Sequence, residues 1–119
     1  MKQPRVKNKA HCDFIRSLPC IICADNVSLE CAHIRMSDAG HGKNNPGVGA
    51  RPSDCYTLPL CGAHHRAQHK FGNERLFWNT LELDPIAIAL ALYEVTGDHE
   101  KGCEIIANAG KPVNILIAG

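Results

Sequence analysis

No stretch of the 119 residues is long and apolar enough to cross a bilayer. Nor do the first residues, with Lys2, Arg5, Lys7 and Lys9, contain the apolar run that a signal peptide needs. The expectation is therefore a cytoplasmic protein with no membrane partner. Net charge is nearly absent as well: 13 Lys and Arg against 12 Asp and Glu leave +1, which taken alone argues against a polyanionic partner. Internal repeats and low-complexity tracts are also missing, so repeat arrays are set aside. What is present is an apolar fraction of 45%, enough in this length for one modest core and a single domain over 1–119.

The near-zero charge hides a division along the chain. Residues 1–75 carry 11 Lys and Arg against 6 Asp and Glu, whereas residues 76–119 carry 2 against 6. The first part is thus basic and the second acidic. A nucleic acid would be drawn to the first part.

Seven cysteines fall in this chain. An odd count in a reducing compartment speaks against a disulfide framework and so against a secreted, disulfide-rich domain. Metal binding explains four residues better. Cys20 and Cys23 form C-x2-C, Cys61 and His64 form C-x2-H, and 37 residues separate the two half-sites. Two residues with two between them can wrap one ion from a single turn, and two such pairs complete the tetrahedron of a structural zinc. Cys12, Cys31, Cys55 and Cys103 stand alone and read as small buried apolar residues.

Local patterns divide the chain as follows. Residues 1–9 read as a flexible basic arm. Phe14, Ile15 and Leu18 fall at helical spacing and predict a helix over Ala10 to Leu18, ended by Pro19. Ser28 to Ile34 predicts a strand, and Met36 to Ser53, rich in glycine with little to bury, predicts a long loop. Tyr56 to Leu60 predicts a second strand, with Pro59 confining it to an edge or a strand end. A helix over Gly62 to Phe71 follows, with Gly72 at its C-cap. The segment 20–72 then amounts to two antiparallel strands and a helix clamped by zinc. Beyond it, residues 73–119 read as helical: Asn73 to Leu81, Asp84-Pro85 to about Val95 with an N-cap and a first-turn proline, and Glu100 to Ala109.

On the predicted helix, His65 and His69 are four apart and share a face, so they can hold one divalent ion. His64 projects about 100° away from His65 at 3.6 residues per turn, so the adjacent histidines can serve two different metals.

These residues, together with Cys31-Ala32-His33-Ile34-Arg35, the Gly-His41-Gly loop, Arg51-Pro52-Ser53-Asp54 and Pro59-Leu60-Cys61, resemble the HNH endonucleases of phage and prophage origin, in the subgroup that includes RecA-dependent nucleases. The likeness extends through Gly72, Glu74, Phe77 and Trp78. It implies an α+β fold with a ββα-metal (HNH, His-Me finger) core and flanking helices. It also implies His33 as general base, His65 as a ligand of the catalytic metal with His69 beside it, and Asp54 orienting His33 or the loop. The cofactors implied are structural zinc and catalytic Mg2+ or Mn2+; the partners are DNA and an activating recombination protein, with the chain acting as a monomer.

A neutral histidine can take a proton from the attacking water while the ion stabilises the leaving oxygen. Arg35, two residues beyond His33, would share its face and clamp a phosphate; His41 and Arg51 are the further candidate DNA contacts. Two features depart from the family pattern. The position before His33, often an acidic metal ligand, is Ala32, and no asparagine stands at the middle position, where Asp54 lies seven residues before Cys61. The expected activity is hydrolysis of DNA phosphodiesters; the alternative is a zinc-stabilised DNA-binding or adaptor module whose nuclease site has decayed.

Overall fold

The computed structural model describes residues 5–43 and 52–109. Its order is α1 (Lys9–Arg16), β1 (Leu29–His33), a single 3-10 turn (Ala39–His41), β2 (Thr57–Cys61), α2 (Gly62–Phe71), α3 (Glu74–Thr80), α4 (Pro85–Glu94) and α5 (His99–Ala109).

Helix α1 starts one residue before the predicted position because Asn8 caps it, its side chain accepting from the His11 N–H. It stops at Arg16, since residue 18 precedes a proline and is disfavoured in helix. Asp84 caps α4 by accepting from the Ala87 N–H, with Pro85 at the first helical position, as the sequence predicts. α2 ends at Gly72, whose φ of 87° suits a residue without a Cβ.

The sheet is a two-stranded antiparallel hairpin in which Leu29 faces Cys61 and His33 faces Thr57. A hairpin alone is marginal in water, so it needs covering elements. β2 is buried along its whole length. Ile15 and Leu18 of the N-terminal segment, Leu58 and Leu60 of β2, Trp78 of α3 and Leu92 of α4 share one apolar cluster. Helix α5 closes on α1 at Gly102, where a Cβ would come within 2.8 Å of both Leu18 and Phe14. Only glycine permits that approach without displacing those side chains.

Successive side chains of a strand point to opposite faces. Cys31 meets Cys12 of α1, and His33 follows it on that face. Glu30 and Ala32 belong to the other face, where Glu30 reaches His65 of α2.

Three predictions change. The arm is held where it is described: the Val6 N–H donates to Ser53 Oγ at 2.9 Å, the Asp54 N–H to the Val6 carbonyl at 2.8 Å and the Asn8 N–H to Asp54 Oδ2 at 2.7 Å. Residues 5–8 are therefore a laced segment, not a flexible arm, and residues 1–4 lie outside the described chain. The loop predicted over Met36 to Ser53 buries more than its composition suggests. Lys43 is 2% exposed, its Nζ donating to the Met36 carbonyl at 2.7 Å and the Arg35 carbonyl at 3.2 Å. Residues 44–51 of that loop lie outside the described chain. Finally, β1 ends at His33, so strand alternation does not carry Arg35 onto the His33 face. The Arg35 and Met36 N–H groups instead donate to the Glu74 carboxylate at 3.1 and 2.9 Å.

No described helix is long and apolar enough to cross a membrane.

Candidate functional site

Four side chains converge where the hairpin passes into α2. Cys20 and Cys23 come from the tight turn after Pro19, Cys61 from the last position of β2, and His64 from the first turn of α2. All four ligand atoms lie within 4.8 Å of one another. Cys61 Sγ is 3.2 Å from His64 Nδ1, Cys20 Sγ is 3.8 Å from the same nitrogen, and Cys23 and Cys61 Sγ are 4.0 Å apart. Tetrahedral zinc with bonds of about 2.3 Å to sulfur and 2.0–2.1 Å to nitrogen sets ligand separations of roughly 3.6–3.8 Å. The group therefore fits a zinc ion.

The turn itself is prepared for thiolate. The Ala24 N–H donates to the Cys20 carbonyl at 2.8 Å, with Ala24 in the left-handed region at φ 61°. Burial pushes the Cys20 thiol up, but the backbone N–H groups of Cys61, Cys23 and Ile22 aim at its sulfur and bring it below the ordinary value.

At the other end of the hairpin, His33 Nε2 donates to Asp54 Oδ1 at 2.8 Å. Burial raises the Asp54 carboxyl, but His33 and the Asn8 N–H outweigh it and hold the group below its usual range. An ionised carboxylate is acceptor-only, so the His33 proton sits on Nε2 and the Nδ1 lone pair is left for other work. Cys12 joins this pair, its thiol, like the Asn8 N–H, donating to Asp54. Cys12 is thus more than the lone buried thiol its spacing suggests. Its neighbour Cys31 is pushed up to about 12 by burial, which leaves it protonated and inert.

The third grouping lies on the α2 side. His65 Nδ1 donates to Glu30 Oε1 at 2.6 Å, and His65 Nε2 lies 3.2 Å from His69 Nε2. The shared face of His65 and His69 is what the sequence predicts; Glu30 is not predicted. One weak signal pointed to it, namely that Glu30 shares strand parity with Ala32, where an acidic group is missing.

The remaining candidates are scattered. His41 donates from Nδ1 to Asp38 Oδ2 at 2.8 Å, and exposed Asp84 lies close enough to complete a group of three potential ligands with half-buried Asp38. Asp38 raises the His41 imidazole, which in turn lowers the Asp38 carboxyl. Arg51 lies outside the described residues. Among the described residues, the groups of three or more potential ligands within 4.8 Å contain His33, His41 and the zinc ligands; His65 and His69 belong to none of them. The expected base and the expected metal ligands are therefore not joined in one cluster.

No curated protein and no solved structure matches the chain. Residues 1–80, which span the whole hairpin, α2, α3 and all the groupings above except Asp84, match the family model described as a protein of unknown function, DUF968, and the chain belongs to that family.

Proposed function

We propose that the protein is a metal-dependent DNA endonuclease with the ββα-metal architecture. The observation that carries this reading is the His33–Asp54 pair at the end of β1, with the carboxylate on Nε2 and the Nδ1 lone pair free to accept a proton. In that arrangement Asp54 fixes the tautomer and steadies the imidazolium that forms when His33 takes a proton from a water attacking phosphorus. His65 and His69 would hold the catalytic ion, and two imidazole donors favour Mn2+ over Mg2+, which prefers oxygen. When bound, the ion would neutralise charge on the scissile phosphate and on the leaving oxygen. The basic residues of the first 75 positions would draw the polyanion to this part of the chain.

The rival is a zinc-stabilised DNA-binding or adaptor module with a decayed nuclease site. Two observations favour it: Ala32 in place of an acidic ligand, and the absence of a common cluster of His33 with His65 and His69 among the described residues.

The test is incubation of supercoiled plasmid with zinc-loaded protein and Mn2+ or Mg2+. The expected outcome is nicked or linear DNA with wild type and at least a hundredfold slower conversion with His33→Ala, the lower end of what a general base contributes, about 10²–10⁴. Intact plasmid under every metal, with retained DNA binding, would select the rival.

A further inference from the structure

We infer that Glu30 is the positioning carboxylate of a divalent-cation site formed by His65 and His69. The inference rests on the reading of these two histidines as metal ligands.

Three observations carry it. Glu30 Oε1 accepts from His65 Nδ1 at 2.6 Å, which places the one proton of a neutral imidazole on Nδ1 and turns the Nε2 lone pair outward. That Nε2 stands 3.2 Å from His69 Nε2. Two imidazole nitrogens bound to one ion at 2.0–2.1 Å lie about 3.0–3.4 Å apart, so the pair already has the spacing of neighbouring ligands. Lastly, Gly62 opens α2 directly beneath the carboxylate: a Cβ there would lie 3.3 Å from Glu30 Oε2 and 3.1 Å from Arg66 Nη1. The missing side chain leaves the space in which Glu30 reaches His65.

Metal-bound histidines are commonly held in this way, the far nitrogen donating to a carboxylate that fixes ring orientation and raises basicity. Glu30 is half exposed, so a purely structural role would leave its loss nearly silent. Its place on the strand also accounts for its distance in sequence from the ligands. Residue 30 and residue 32 share a face, and α2 crosses nearer to residue 30.

The experiment is a Mn2+ titration of the zinc-loaded full chain followed by electron paramagnetic resonance, together with nitrogen NMR of the His65 ring in the Mn2+-free protein. Wild type is expected to bind one Mn2+, and His65→Ala none. Glu30→Ala should bind 10- to 100-fold more weakly, the usual cost of removing an outer carboxylate. Glu30→Gln, which keeps an acceptor but no charge, should lose less. The His65 proton should sit on Nδ1 in wild type and redistribute toward Nε2 in Glu30→Ala, a change that a structural role would not produce. Unchanged Mn2+ affinity in both Glu30 variants, or a wild-type His65 protonated on Nε2, overturns the assignment while leaving the endonuclease reading intact. Absence of Mn2+ binding by wild type overturns the assignment and the metal reading together. Glu30-dependent binding without plasmid cleavage upholds the assignment and refutes the endonuclease.

Discussion

The two ends of the hairpin are built in opposite ways. At the Leu29–Cys61 end, four side chains from two short spacings close on one point, where they could hold a zinc ion. At the His33–Thr57 end, order comes from a carboxylate that accepts from the Asn8 N–H, from His33 and from Cys12, three donors spread over the first 33 residues. One end is a knot tied locally; the other is a lacing of distant segments. The difference teaches where structure and chemistry are separable: the metal end can carry stability while the laced end stays free to carry a proton.

The largest effect tests the metal end. Cys61→Ser should release the zinc and leave the chain without a cooperative unfolding transition, because structural zinc contributes on the order of 10 kcal/mol at neutral pH. Metal analysis and circular dichroism read both, and a folded, zinc-free variant would break the comparison. Next, Asp54→Ala should lower stability by about 1–3 kcal/mol in urea, the cost of stranding partly buried donors, with zinc content unchanged. Loss of zinc in that variant would mean that the two ends are coupled.

The smallest effect is a slope with pH. His11 is fully buried, its Nδ1 on Thr96 Oγ1 at 2.7 Å and its Nε2 without a partner. Burial lowers its pKa from 6.5, with Asp54 partly opposing. The unfolded chain therefore takes the proton first, and stability falls as pH drops below about 6.5. His11→Gln should flatten that slope in denaturation curves at pH 7 and pH 5, whereas Asp54→Ala should carry the fall to lower pH. A slope that survives His11→Gln would assign it to acid release of zinc instead.

The same contrast explains what could be read from the sequence. The zinc quartet is legible because a two-residue spacing fixes local geometry whatever the rest of the chain does. Helices α2 and α4 are legible because Gly72 and Asp84-Pro85 mark their limits. The lacing of residues 5–8 to 52–54 is not, since a charged, aperiodic segment gives no sign of pairing with a partner some 46 residues away. Glu30 is hidden for a similar reason: an exposed carboxylate on a strand looks like a solvated residue until α2 is in place. Lys43 shows the reverse: in a loop whose composition offers little to bury, a charge is buried on two carbonyls.

Pro59 has a consequence for assembly. It pairs with Cys31 in the hairpin, yet its carbonyl turns outward to accept the Ile21 N–H at 3.0 Å, so its nitrogen also faces away from β1. That nitrogen has no hydrogen to offer. The outer edge of β2 is therefore capped by the knuckle on its acceptor side and lacks a donor at its centre, and a strand from another molecule finds no ladder to extend.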